Sequence, residues 1–300
     1  VDPPQTQSQN QTPTQTPAAA EKPKVYNPGD NVVFSLPTGR RFERHGFYID
    51  FTHRFPYSAA FSGQARGAIL LGLDDFAIPS FGFRYAVTSR LSVSAFRSPS
   101  VIARPIELMA AYNLLDEHDG QPINLAVRYS IDGQNNFERN FTNNFEMVMS
   151  RSVTGRAQLY LVPTVSIHNR ALIGTNLLTP SPLQPCGGPP GYVPAIPVHP
   201  CANTFSLGVG AMVDVRPTVA LLAEAIPTLA NGAELGIHRP AYAFGIKKKI
   251  WRHAFTFGFT NSPGVTVAQR AGTRATFLDQ PAADKPSGMF VGFDIMRQVY

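Results

Sequence analysis

The strongest constraint on this chain is an alternation of apolar and polar residues with a period of two, held over runs of roughly ten residues and repeated about twelve times. "PINLAVRYSI" shows it cleanly. Ile123, Leu125, Val127, Tyr129 and Ile131 fall on one side, and Asn124, Ala126, Arg128 and Ser130 on the other. The last run, "GMFVGFDIMRQVY", sets Met289, Val291, Phe293 and Ile295 against a mixed face and ends on Tyr300. The runs lie near 46–55, 78–87, 90–98, 105–114, 122–131, 139–151, 157–168, 204–215, 218–226, 241–250, 252–260 and 288–300. No run has a helical period of 3.6, and no repeat of 20 to 50 residues recurs. The chain therefore reads as all-β.

The connections sort by parity. The second (near Thr88), sixth ("SVTGR"), eighth (Arg216–Pro217) and tenth (Ile250–Trp251) are very short, whereas the first (56–77), seventh (169–203), ninth (227–240) and eleventh (261–287) are long. In an up-and-down barrel, odd connections share one rim and even ones the other. Short turns at one end and long loops at the other mark a membrane barrel. A tilted strand of about ten residues also spans the ~25 Å apolar band of such a barrel.

One strand face collects Phe47, Ile49, Phe51, Phe81, Phe83, Tyr85, Leu161, Phe255 and Phe257, among others. The opposite face carries Asp50, Arg54, Arg84, Glu107, Arg128, Glu146, Asp214, Glu224, Lys247, Lys249 and Asp294. A soluble barrel or sandwich buries the first face; a membrane barrel turns it to lipid and lines its lumen with the second. Loop sorting favours the membrane. So does the charged fraction, 15%, against about a quarter in ordinary soluble domains. So do the glycines on the charged face, Gly208, Gly210, Gly245, Gly258 and Gly292, which suit a crowded interior. Tyr48, Tyr85, Trp251 and Tyr300 all fall at the even rim and are expected to form an interfacial girdle. The fold expected is a closed antiparallel up-and-down transmembrane β-barrel of about twelve strands, in the outer membrane, with both termini periplasmic.

Residues 1–30 are Gln/Thr/Pro-rich and nearly free of large apolar side chains, so they read as a disordered or extended arm that docks other envelope proteins. Residues 31–45, with Arg40, Arg41 and Arg44, read as a periplasmic segment that caps or partly plugs the mouth, and 46–300 as the barrel. Acids and bases are nearly balanced on the lumen face, so they should pair, leaving the lumen narrow or filled. Cys186 and Cys201 bracket "GGPPGYVPAIPVHP", the pattern of a disulfide staple in an oxidising compartment.

Catalytic and cofactor chemistry is sparse. His53 shares the register of Phe51 and Phe55 and reads as interfacial. His168 shares the polar register of Ser166, the one conceivable nucleophile–base pair. "DEHDG" and "DGQNN" lack an EF-hand pattern and read as polar turns, and Asp74–Asp75 is at most a weak cation site. No phosphate loop, haem motif or zinc spacing occurs, so no cofactor or metal is expected. "KKK" at Lys247–Lys249 is the one basic cluster, and it reads as a solvated strand end rather than a nucleic-acid contact.

"FSLPTG" (34–39), "RHGFYIDFTHRF" (44–55), "FGFRYAVTSRLSVSAFRS" (81–98), "IELMAAYNLL" (106–115), "FTFGFTNSPG" (255–264) and the C-terminal "GMFVGFDIMRQVY" resemble, in order, a bacterial outer-membrane β-barrel family of unknown function. The arm and the Cys186–Cys201 insertion fall outside that likeness. The resemblance implies an outer-membrane barrel solvated by lipid and brings no catalytic residue or substrate. The aromatic C-terminus also resembles the signal read by barrel-insertion machinery. The leading functional reading is a structural or interaction component of an envelope assembly, not an enzyme. A narrow porin-like channel is the alternative, and a barrel-embedded hydrolase a weaker one.

Overall fold

A computed structural model of the chain describes residues 24–56, 78–98, 104–170, 201–235, 239–262, 264–272 and 290–300. Its strands are β1 (Phe47–Pro56), β2 (Ile78–Ala86), β3 (Leu91–Arg97), β4 (Ile106–Leu115), β5 (Asn124–Gly133), β6 (Arg139–Thr154), β7 (Ala157–Arg170), β8 (Cys201–Arg216), β9 (Val219–Ile226), β10 (Thr228–Ala230), β11 (Ala241–Ile250), β12 (His253–Thr260) and β13 (Phe290–Gln298). A short helix, α1 (Val267–Gly272), lies between β12 and β13.

Every strand pairs antiparallel with its neighbours in the chain, except that β9 passes to β11 while the three-residue β10 prolongs the pairing along β8. The last strand returns to the first, with Tyr48 opposite Gln298 and Phe51 opposite Ile295. The pairing of β8 with β9 completes the ring, giving a closed barrel of twelve strands. Closure satisfies the edge N–H and C=O groups, a condition that hydrocarbon solvent imposes on any spanning sheet.

Burial follows the period-two pattern. On β12 it alternates strictly from Ala254 to Phe257, and Phe257 on the outer wall is 52% exposed. Phe83, Phe145, Leu159 and Ile246 are likewise exposed on the outer wall, while Arg54, Glu146, Lys247 and Asp294 are buried inside. The short turns 87–90, 155–156, 217–218 and 251–252 share one rim. At the first of these, the Thr88 hydroxyl accepts from the N–H groups of Arg90 and Leu91, at 3.1 and 2.9 Å, a local motif typical of tight turns.

Three expectations change. β6 and β8 run to sixteen residues each, longer than the alternation suggested. Side-chain bonds hold the added residues: Ser152 on β6 donates its N–H and hydroxyl to Glu117, at 3.0 and 2.8 Å, and Asn203 Oδ1 on β8 accepts from His168 N at 3.0 Å. The β7–β8 register slips between Ser166 and Asn169. This bulge gives His168 a φ of 59° and leaves it exposed, so the Ser166–His168 pair does not form. Finally, Tyr48 is not in the girdle. It shares the inward register of Asp50 and Arg54 and is 1% exposed, packed with Phe42, Ala254 and Met296. Tyr85, Trp251 and Tyr300 are on the outer surface, at 39%, 90% and 73% exposure.

Candidate functional site

The interior of the barrel is occupied by two segments of the chain itself. From the short-turn rim, where Lys24 lies against Gly155, residues 26–42 fold into the lumen. A small hairpin forms there, with Val32 bridged to Pro37, Val33 N donating to Leu36 O at 2.7 Å and Thr38 N to Asn31 O at 3.0 Å. Its tip meets Glu224. The carboxylate accepts from the backbone N–H groups of Phe34 (3.1 Å), Ser35 (2.9 Å) and Leu36 (2.9 Å), and from the Ser35 hydroxyl. Successive N–H groups converging on one anion form a nest, and the bonds are strengthened by the full charge of the acceptor.

The hairpin is held along its length. Lys247 Nζ is 2.7 Å from Asp30 Oδ2, with the two side chains 0% and 1% exposed, and it also donates to Val32 O. The "KKK" cluster is therefore split by the strand pleat. Lys247 is buried against the hairpin, not solvated. Lys249 bonds Asp214 at 2.7 Å and Asn27 O at 2.9 Å, beneath the Tyr26 ring. Tyr26 donates its hydroxyl to Asp214 at 2.7 Å. Burial, followed by that carboxylate, raises the phenol pKa well above its ordinary value. Arg54 pairs with Asp294 at 2.6 Å and lies 4.3 Å over the Phe34 ring.

Packing complements these bonds. Val33, Phe34 and Leu36 join inward Ala126, Val148, Val162, Met212 and Leu222 in one apolar cluster. Leu36 occupies the space a side chain at Gly208 would fill: a Cβ there would come within 2.4 Å of Leu36 Cδ2. The inner wall thus carries an apolar patch, along β5–β9 and β11, set among charges that lie on β1, β2, β4–β6, β8, β9, β11 and β13.

From the long-loop rim, residues 261–262 and 264–272 enter with α1. Thr266 and Gln269 cap the helix reciprocally: Gln269 Oε1 accepts from Thr266 N and the Thr266 hydroxyl from Gln269 N, both at 3.3 Å. The free N–H groups of its first turn meet buried carboxylates, Val267 N to Glu107 at 2.7 Å and Ala268 N to Asp132 at 3.3 Å. Arg270 bonds Glu146 and donates to Ser35 O at 2.6 Å. Arg128 approaches the other oxygen of Glu146 at 3.3 Å. The two inserts therefore touch inside the barrel.

A cavity of about 70 Å³ remains between the hairpin and the inner wall, bordered by Asn31, Asp50, Arg84, Glu107, Arg128 and Arg270. It has room for a few water molecules. Arg84 reaches Asp50 only at 4.0 Å, and Asn31 Nδ2 donates to Asp50 at 3.3 Å.

All eleven lumen-facing charges named from the sequence lie on the inner wall, and most contact an insert or each other. Asp30, Asp132 and Arg270 belong with them and were missed. Asp132 is inward by the same parity as Arg128. The "TVAQ" capping box (266–269) signals α1 and hence Arg270. Cys186 lies outside the described residues, as do Asp74, Asp75 and residues 1–23; Cys201 opens β8. Among the described residues, no cluster of His, Cys, Asp and Glu could hold a metal ion.

The family described as "Membrane bound beta barrel domain (DUF5777)" matches residues 30–299, so the match takes in the hairpin, α1 and every strand. The chain belongs to this family of membrane-bound β-barrels. Among solved structures, this membrane barrel is similar to the NanC porin (6% identity, 84% of this chain and 98% of the porin covered, TM-score 0.45). It is also similar to the Acinetobacter baumannii outer membrane protein Omp33 (6% identity, 85% and 98% covered, TM-score 0.40). Neither likeness adds to what the strand pairing establishes. No curated protein matches the membrane barrel.

Proposed function

We propose that this barrel resides in the bacterial outer membrane with both termini periplasmic, and that it works as a sealed anchor: a structural component of an envelope assembly that presents its N-terminal arm to partner proteins. One observation carries the reading: the clasp of Glu224 by the backbone of Phe34, Ser35 and Leu36. A conducting lumen needs charges that stay hydrated and available to solute. Here those charges are bound to the chain's own inserts. The hairpin begins at the short-turn mouth, so the residues before Lys24 continue from that mouth, and their Pro/Thr/Gln composition suits extended docking.

The narrow-channel reading draws on the cavity bordered by Asp50, Arg84 and Arg128, which would pass small solutes if the hairpin withdrew. Planar-bilayer recording separates the two. An anchor gives no steady single-channel current as the intact chain, and deletion of residues 1–23 abolishes capture of envelope partners without opening a pore. A stable open-channel current from the intact chain overturns the anchor reading.

A further inference from the structure

The outer wall sorts its charges by sign and by height. Every described carboxylate on a strand points inward. The described cations on the outer wall are Arg97, Arg151, Arg216, Lys248 and Arg297. Arg97 lies at the long-loop end, bonded to Asn136 at 3.0 Å. The other four are exposed and lie close to the short-turn rim, and none of them forms an ion pair among the described residues.

Three of the four share an arc. Val219 is the register partner of both Arg216 and Lys248. Lys248 faces Phe255 on β12, and Arg297 on β13 faces His253. Adjacent strands lie about 4.8 Å apart and rise about 3.3 Å per residue, so Arg216 and Lys248 stand about 10 Å apart and Lys248 and Arg297, two residues out of register, about 12 Å apart. Between them, the β11–β12 turn projects Trp251, 90% exposed, with the Arg252 guanidinium 4.9 Å over its ring. Below the arc the wall is apolar: Leu221, Ile246, Phe255 and Phe257.

We propose that this arc is a binding site for the headgroups of anionic diacyl phospholipids, with Arg216, Lys248 and Arg297 on the phosphates and Trp251 at the ester level. The chemistry follows from position. Long cationic side chains at the edge of an apolar wall run their stems along the acyl region and place their charges in the headgroup layer. No carboxylate on the wall competes for them. A ring with an apolar body and one N–H donor favours the same interface. The site depends on the barrel spanning a membrane and is independent of whether the lumen conducts.

Trp251 is the only tryptophan in the chain, so its fluorescence reports the site directly. The full chain, reconstituted in phosphatidylcholine vesicles, is titrated with brominated phosphatidylglycerol or brominated phosphatidylcholine. Stronger quenching by the anionic lipid is expected. Lys248→Gln and Arg297→Gln should each lower that preference about five-fold, the equivalent of ~1 kcal/mol per cation at a membrane surface. Lys248→Arg should retain it, and Arg97→Gln at the far rim should leave it unchanged. Equal quenching by the two lipids in the native chain refutes the site, and so does an equal loss in Arg97→Gln. Stronger quenching by a brominated lipid A than by phosphatidylglycerol refutes the assignment to diacyl phospholipid. Correct folding of each variant is checked by heat-dependent gel mobility.

Discussion

Replacing Lys247 by Met tests how the hairpin is held. The ammonium and the Asp30 carboxylate are 2.7 Å apart, with neither side chain more than 1% exposed. Methionine matches the length of the lysine stem but removes the charge. Asp30 would then be a buried anion keeping only its hydrogen bond from Asn31 N at 2.6 Å, and Val32 O would lose its donor. Breaking a buried pair by removing one partner costs about 3–5 kcal/mol, most of it from the orphaned charge. The docked hairpin should therefore weaken by about two to three and a half orders of magnitude, since each ~1.4 kcal/mol is ten-fold. Adding Asp30→Asn removes the orphaned charge, so the double variant should recover much of the loss. Hydrogen exchange of the peptide covering 26–38, followed by mass spectrometry in detergent, reads this directly. Protection should fall in Lys247→Met, return in large part in the double variant, and stay unchanged in β4–β6. The reasoning fails if the double variant exchanges as fast as the single one, or if 26–38 keeps its native protection in Lys247→Met.

Phe257→Arg places a charge near the middle of the lipid-facing side of β12 and should cost about 2–4 kcal/mol in reversible unfolding from phospholipid; a cost below ~0.5 kcal/mol would mean water outside that wall. Gly208→Val fills the space taken by Leu36, where even a Cβ would lie 2.4 Å from that side chain. It should lift the hairpin at about 1–3 kcal/mol, seen as faster exchange in 31–38 while heat-dependent gel mobility stays native. The proposed Cys186–Cys201 staple predicts that the denatured, unreduced chain takes up no iodoacetamide and that reduction admits two labels; labelling without reductant rules the staple out.

Much of the architecture was legible in local pattern. Alternation such as Ile123 to Ile131 states which residues share a face whatever they pack against, because the pleat has a period of two. Turn and loop lengths placed the connections on two rims. Tyr48 shows where the reading failed. Its position at a strand end suggested the girdle, but its parity with Asp50 and Arg54 turns it inward, and parity is the stricter rule. His168 failed for the opposite reason, since a bulge breaks parity and no residue type announces one there.

The sequence alone determined the strand number, the two faces, the sorting of connections and the inward direction of the charges, since these follow from bonds and side chains within a few residues of each other. Only the tertiary structure decided what those charges hold. Asp30 and Lys247 are 217 positions apart, and the Phe34 N–H and Glu224 are 190 apart. "NVVFSLPTG" has no property that distinguishes a solvated loop from a lumen insert. Its place depends on the closed barrel bringing a carboxylate, an ammonium and a vacant glycine face to the same side of one cavity.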